Sequence, residues 1–281
     1  MYDIIEAMRY NPAVKRLTVN APMVARRARP GQFVMLRVND AGERIPLTIA
    51  HSDPESGAIT IIFQEVGKTT AMLGALEVGD RLLDVVGPLG IPSHLDGMKK
   101  VCVIGGGLGC AIAYPQAKAL FDMGAEVDMI AGFRNRDLIF MEEEMRAASS
   151  RLTVCTDDGS NGNRALVTDI LKEYLEQGRA YDTIIAIGPL VMMKYVCLTA
   201  KPYDLPVIVS MNPIMVDGTG MCGCCRVTVD GQVKFACVDG PDFDGYKVDY
   251  DEAMRRNQMY IQQEERDMAA HRCQGEGQNH V

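Results

Sequence analysis

The sequence lacks any concentration of basic charge: 29 Lys and Arg are scattered among 37 Asp and Glu, for a net charge of −8 and a pI near 5.1. That balance excludes a nucleic-acid phosphate backbone as partner. The chain also lacks an apolar run of bilayer length. Its longest candidate, Val101 to Phe121, contains four glycines and a proline and reads as strand, turn and helix, so no membrane span is expected. The N-terminal MYDIIEAMRYN lacks the charged-then-apolar order of a signal peptide, which leads us to expect a cytoplasmic protein. No internal repeat or low-complexity segment is present.

What is there is a 47% hydrophobic content over 281 residues, enough for two ordinary domains and an appended module, together with nine cysteines. Where thiols are kept reduced, such cysteines are ligands or core residues rather than disulfides. Cys102, Cys110, Cys155 and Cys197 stand alone in apolar surroundings, as small buried hydrophobes do, and Cys273 lies in a polar tail, HRCQGEGQNHV, expected to be mobile. Cys222, Cys224, Cys225 and Cys237 instead fall within sixteen residues.

Up to about Met98 the chain alternates in short segments, KRLTVNA, QFVMLRV, RIPLTIA, AITIIFQEV and RLLDVVGPLG, separated by Gly, Pro and Asp. This predicts a small antiparallel barrel over residues 1–98. After Lys99 the texture changes to VCVIG, a helix-like AIAYPQAKALFDMG and EVDMIAGF, a βαβ unit that predicts a parallel sheet covered by helices. LTVCTDD, VTDILKEYLEQG and DTIIAIG extend it, giving an α/β domain over residues 99–205. Residues 206–246 form a Gly- and Cys-rich module with a hairpin, RVTVDGQVKFACV, turning at Asp230-Gly231. Residues 247–281 read as one charged helix, Asp249 to Met268, followed by the tail.

Gly105, Gly106, Gly107 and Gly109 follow a strand and open a helix, where backbone N–H groups can meet a pyrophosphate. The G-x-G-x-x-G spacing breaks at Cys110, which leaves a merely tight turn open as the alternative. Gly188-Pro189 end a second apolar strand and leave room for a flat ring beyond it, or make an ordinary strand-to-helix turn. Arg134 and Arg136, in GFRNRD, keep a 2′-phosphorylated nucleotide open. Arg44, Pro46, Leu47 and Thr48 combine a cation, a rigid turn and a hydroxyl, suited to a flavin pyrophosphate and ring edge, although a charged strand edge would look the same. Gly67, Lys68, Thr69 and Thr70 resemble the end of a P-loop, but Ile62 stands where its first glycine is required, so an ATPase reading fails.

The strongest chemistry lies in Asp217-Gly-Thr-Gly-Met-Cys222-Gly-Cys-Cys225 with Cys237. Plant-type [2Fe–2S] sites use C-x₄-C-x₂-C and a distant fourth cysteine, and this segment has that spacing with Asp217 at the first place. A carboxylate can bind ferric iron in place of a thiolate. Gly218, Gly220 and Gly223 let N–H groups turn toward cluster sulfurs. A structural zinc held by Cys222, Cys225, Cys237 and one more ligand is the alternative, although the second C-x₂-C knuckle of a zinc ribbon is missing. Cys224 is left out of the ligand set, and Asp217 could also be a plain turn residue.

With these motifs in order, nearly the whole chain resembles the small subunit of the NADH-dependent reduced ferredoxin:NADP oxidoreductases, also known as sulfide dehydrogenases. The wider family includes the electron-transfer subunit of dihydroorotate dehydrogenase. The resemblance is carried by ERIPLTIA, VGPLG, GGGLGCAIAYPQAKAL, GFRNRDLIF, IGPLVMMK, MNPIMVDGTGMCGCCRVTV and KFACVDGPDFDG. It implies a ferredoxin reductase-like fold, with an FAD-binding barrel, a nucleotide-binding α/β domain and a [2Fe–2S] module. It implies FAD at Arg44, Thr48 and Gly67 to Thr70, NAD(H) at Gly105 to Gly109 and Gly188-Pro189, and the cluster at Asp217, Cys222, Cys225 and Cys237. The implied partners are a larger flavin and iron–sulfur subunit and, through it, ferredoxin. Dihydroorotate dehydrogenase relatives carry cysteine at the Asp217 place, and reductases of this fold have the flavin arginine three residues before the hydroxyl, whereas Arg44 is four before Thr48. The competing expectations are an electron-transfer subunit for a dihydroorotate dehydrogenase and a non-catalytic nucleotide-binding protein with structural zinc.

Overall fold

A computed structural model describes residues 1–277. Its first part contains β1 (Tyr2–Asn11), β2 (Val14–Asn20), α1 (Pro22–Ala25), β3 (Phe33–Arg37), β4 (Ile45–Asp53), β5 (Ala58–Gln64), α2 (Lys68–Gly74), β6 (Arg81–Leu82) and β7 (Asp84–Leu89). The strands form one antiparallel sheet in the order β6-β1-β2-β5-β4-β3-β7. Its two edge strands are separated in sequence by Leu83 alone, whose N–H reaches the carbonyls of Arg37 and Val38. The sheet therefore curls into the nearly closed barrel expected from the short alternating segments. Leu17, Val19, Val34, Leu36, Ile61 and Phe63 fill it. Lys15 is also buried, its ammonium held by the carbonyls of Gly74 (3.0 Å) and Leu76 (2.6 Å) and by Glu77 (2.7 Å). Those three acceptors offset the cost of burying the charge and tie the end of α2 to the barrel.

Strand β1 is an addition to the expected set. Its register slips between Ile4 and Glu6, so Ile4 points into the barrel while Ile5 and Met8 are exposed. The bulge hides the period-2 pattern from which a strand is read.

The second part runs β8 (Lys100–Gly106), α3 (Gly109–Asp122), β9 (Glu126–Phe133), α4 (Glu142–Ala147), β10 (Arg151–Thr156), α5 (Val167–Glu176), β11 (Thr183–Ile187), α6 (Leu190–Ala200) and β12 (Val207–Ser210). Then come β13 (Arg226–Val229), β14 (Gln232–Phe235), α7 (Ala236–Asp239), β15 (Asp242–Asp244), α8 (Tyr250–Asn257) and α9 (Ile261–Gly277). The large sheet has the order β10-β9-β8-β11-β12-β15, parallel except for β15. Alternate residues of β8 and β11 serve opposite faces. Cys102, Ile104, Ile184 and Ala186 pack with α5 and α6, and Val103, Ile185 and Ile187 pack with α3. Burial on both faces is what the continuous apolar runs predict. Strand order reverses between β8 and β11, and both strands end where a ligand crevice belongs in such a sheet.

Two expectations need correction. Strands β12 and β15 lie in the large sheet, so residues 207–210 and 242–244 belong to it rather than to the cysteine-rich module of 206–246; at three or four residues each they are too short to stand out in Gly- and Pro-rich sequence. What remains between them is a loop, the β13–β14 hairpin and α7. The hairpin turns at Asp230-Gly231 as expected, with φ of +53° and +72°. The single charged helix Asp249 to Met268 is two, α8 and α9, broken at 258–260. The tail expected to be mobile is helical backbone as far as Gly277, and its last residues, 278–281, lie outside the described residues. Among the described residues, no helix is long and apolar enough to cross a membrane.

Candidate functional site

A cleft of about 1060 Å³ opens between the barrel and the ends of the parallel strands. Its size stands at the top of the range for ordinary small-ligand sites, leaving room for more than one flat ring system. Pro46, Leu47 and Thr48 of β4 line it from the barrel side, with Phe33 of β3. Gly106, Gly107, Gly109, Gly188 and Pro189 line it from the sheet side. Two groups singled out separately in the sequence thus face each other across one space.

The glycine turn works by two physical effects. At Gly105 a Cβ would stand 2.7 Å from the Cα of Cys110, so this glycine sets the close packing of β8 on α3 and does not line the cleft. Cys110, buried and small, occupies the third fingerprint position because Gly105 concedes it the space. At Gly109 a Cβ would run into the carbonyl oxygen of Ile187 and lie 2.8 Å from the Cα of Gly188. Gly107 differs: its φ is +56° and nothing lies within 4 Å of where its Cβ would be, so its front is open to a ligand. Neither Leu108 nor Pro189 caps the following helix with a side chain. Two helix N-termini, those of α3 and α6, therefore converge on the cleft with the polarity that favours an anionic pyrophosphate.

Not every residue marked in the sequence lies in the cleft. Arg44 is exposed just ahead of β4 and outside the lining. Gly67 is the N-cap of α2, and the Thr70 hydroxyl accepts the N–H groups of Val66 (3.0 Å) and Gly67 (2.9 Å) and donates to the Gly67 carbonyl. Thr69 is buried. Residues 67–70 thus shape the helix start beside Val66, which does line the cleft. Arg134 lines it at the end of β9, whereas Arg136 does not; its N–H is held by the Ser160 hydroxyl at 2.7 Å. The sequence reading missed Asp157, Thr168, Met192, Tyr195 and Ser210, which also line the cleft. Asp157 follows β10, Thr168 and Met192 stand in the first turns of α5 and α6, Tyr195 is further along α6, and Ser210 ends β12; of these only Met192 falls in a motif that carries the resemblance, IGPLVMMK.

The cluster segment sits behind the same wall. Cys225 and Cys237 are buried with Ala236 and Met215 against Phe33 and Met35 of β3. Phe33 therefore touches the cleft on one side and the cysteine core on the other. The sulfurs of Cys225 and Cys237 are 3.2 Å apart. Burial, then the neighbouring Cys225 thiol, pushes the Cys237 thiol up to about 12. Cys222 is exposed. The Asp217 carboxylate accepts the N–H of Thr219 at 2.8 Å and of Cys222 at 2.9 Å, and these bonds hold it below the usual carboxylate range. Gly218, Gly220 and Gly223 have φ of +76°, +84° and +67°, a left-handed backbone that other residues rarely adopt. At Gly218 a side chain would also meet Met35, at 2.6 Å. Among the described residues no group of three or more Cys, His, Asp or Glu side chains is already gathered around one point. Cys225 and Cys237 meet through their sulfurs, whereas the Asp217 carboxylate meets Cys222 at its backbone N–H.

The iron–sulfur cluster binding domain of dihydroorotate dehydrogenase B matches residues 212–249. A dihydroorotate dehydrogenase B (NAD(+)) electron transfer subunit homolog from Thermotoga maritima is 46% identical over 93% of this chain and 92% of its own length. The dihydroorotate dehydrogenase B (NAD(+)) electron transfer subunit of Geobacillus thermodenitrificans is 36% identical over 81% of this chain and 89% of its own. A solved structure of NADH-dependent reduced ferredoxin–NADP oxidoreductase, described in connection with flavin-based electron bifurcation, superposes with a TM-score of 0.90 at 45% identity, covering 95% of this chain and 96% of that one. The chain belongs to the family of dihydroorotate dehydrogenase B electron-transfer subunits.

Proposed function

We propose that this chain is the NAD(H)-handling electron-transfer subunit of a larger flavin and iron–sulfur oxidoreductase of the ferredoxin–NADP reductase type. The observation that carries the reading is the position of β3, with the two-sided cleft on one face of Phe33 and the paired cysteines on the other. FAD supplies the conversion between a two-electron hydride and the single electrons that an iron–sulfur cluster accepts. Pro46, Leu47 and Thr48 hold the ring edge of the flavin, with Arg44 and the start of α2, Gly67 to Thr70, near its phosphates. Gly105, Gly106, Gly107 and Gly109 form the turn that admits the nucleotide pyrophosphate, and Gly188-Pro189 leave the space for the nicotinamide. Asp217, Cys222, Cys225 and Cys237 are the cluster ligands.

The chain's own residues do three things here. The bare helix starts of α3 and α6 orient the nucleotide by its phosphates. Phe33 and Met35 fill the wall between cleft and cluster and keep water out of it. Asp217 sets the loop through two backbone N–H groups and keeps further lone pairs for iron. The partner is a larger subunit carrying its own flavin and iron–sulfur groups, with ferredoxin reached through it. The cytoplasm, where exposed Cys222 stays reduced, is the compartment this reading needs.

Purification of the native complex tests the proposal. A large flavin and iron–sulfur subunit that reduces NADP supports it, and a dihydroorotate-oxidising partner would move the chain to the other branch of its family. Asp217→Cys restores four thiolates and is expected to keep a [2Fe–2S] cluster, whereas Asp217→Ala is expected to leave a labile one with altered EPR. An Asp217→Ala protein with unchanged spectrum and iron content would remove Asp217 from the ligand set.

A further inference from the structure

Helix α8 lies just beyond the matched cluster domain, which ends at residue 249. It is nonetheless built onto the cluster module. Asp249 caps it by accepting the Glu252 N–H at 2.9 Å, and the Asp249 N–H donates to the Thr228 carbonyl of β13, also at 2.9 Å. Lys194 of α6 pairs with Asp251 at 2.6 Å, fixing the same helix to the α/β domain. At its last turn, Arg256 Nη2 donates to the carbonyl oxygen of Cys224 at 3.2 Å, in the peptide stretch between Cys222 and Cys225. Asn257 Nδ2 lies 3.5 Å from the carbonyl of Asn212, where the cluster segment begins. One helical turn therefore touches the segment at its start and in the middle of its ligand run.

Arg256 is half-buried, and among the described residues no Asp or Glu forms an ion pair with it. Arg226 shares the shallow crevice that Arg256 lines, and it too has no ion-pair partner among those residues. A structural arginine in such a place is commonly neutralised by a carboxylate; here the positive charge is left uncompensated and aimed at the loop.

We propose that Arg256 is a positioning residue for the iron–sulfur cluster, holding the Cys224 carbonyl and setting the reduction potential through its uncompensated charge. The inference rests on the ligand assignment given above. Reduction adds one electron, and hence one negative charge, to the loop that Arg256 contacts. A fixed cation alongside favours the reduced form, and partial burial weakens its screening by salt. Loss of the charge lowers the potential; loss of the hydrogen bond alone loosens the loop.

The test is an EPR-monitored redox titration of the cluster in the full chain, for the natural protein and for R256K, R256Q and R256H. R256K is expected to stay near the natural potential. R256Q is expected to shift the ratio of reduced to oxidised cluster at a given poise by about tenfold toward oxidised, ~59 mV for a one-electron couple. R256H compares charge states within one variant and so does not depend on R256Q loading its cluster. Its potential is expected to fall as pH rises through about 6.5, the ordinary histidine value, beyond any drift of the natural protein. Equal shifts in R256K and R256Q, or an R256H potential that follows the natural protein across that range, would overturn the proposal. A natural chain that binds no [2Fe–2S] cluster would instead overturn the ligand assignment beneath it.

Discussion

The nucleotide turn and the cluster loop both rely on glycine, and they do so in different ways. At Gly105 and Gly109 the missing side chain lets β8, α3 and the end of β11 press together, so neighbouring backbone fixes the turn. At Gly218, Gly220 and Gly223 the chain needs left-handed backbone, and what holds it is the Asp217 carboxylate, the cysteines and a core of six buried residues. The first turn stands on the large sheet between two extensive cores. The contrast separates a turn fixed by neighbouring backbone from a loop held by one carboxylate and a small core: on the proposed assignment, the first is expected to keep its shape without a ligand and the second to depend on iron.

The variant that should separate the two regions most sharply is Cys237→Ala. It removes one sulfur of the buried 3.2 Å pair. Iron per chain is expected to fall to near zero by metal analysis, while NADH affinity, measured by calorimetry, stays within about twofold, under 0.5 kcal/mol. A parallel loss of nucleotide binding would show that the two regions are one unit.

Next in size is a pair of substitutions within the nucleotide turn itself. Gly109→Ala places a methyl against the backbone of Ile187 and Gly188 and is expected to cost about 1–3 kcal/mol in thermal unfolding. Gly107→Asn keeps a residue that tolerates the +56° backbone but fills open cleft, so stability should hold while NADH affinity drops about tenfold, ~1.4 kcal/mol. The reverse pattern would place the ligand elsewhere.

The smallest effect concerns the cluster-free loop. Burial pushes the Cys237 thiol up to about 12, well above the ordinary value of about 8.5. For a group raised in the folded state, the stabilisation is complete below the unfolded pKa and is lost as pH rises toward the folded one. Cluster-free protein is therefore expected to lose stability between about pH 8.5 and 12, and Cys237→Ser to lose less over that window. Loading iron requires the thiolates, so reconstitution should also quicken as pH rises.

Much of this was legible in the sequence because local pattern and global fold agree. The apolar runs VCVIG and EVDMIAGF became β8 and β9, and the Asp230-Gly231 turn closed the hairpin where its dihedral preference required. The cleft residues Pro46 to Thr48, Gly106, Gly107 and Gly109, and Gly188-Pro189 were marked as separate motifs, but their facing arrangement is a product of barrel packing on α3, which no local pattern encodes. Asp157, Thr168 and Ser210 were invisible for the same reason. Strand β1 was hidden by its bulge, and β12 and β15 by their brevity. Charged sequence around Arg256 reads as solvated helix until the fold brings its guanidinium to the Cys224 carbonyl.

The measurement that bears most directly on the central claim is anaerobic addition of NADH to the purified chain, followed by visible absorbance and EPR together with metal analysis. The account expects one FAD and two irons per chain, bleaching of the flavin band and a reduced [2Fe–2S] signal appearing with it. Stoichiometric zinc in a colourless protein that binds NADH without being reduced would contradict it.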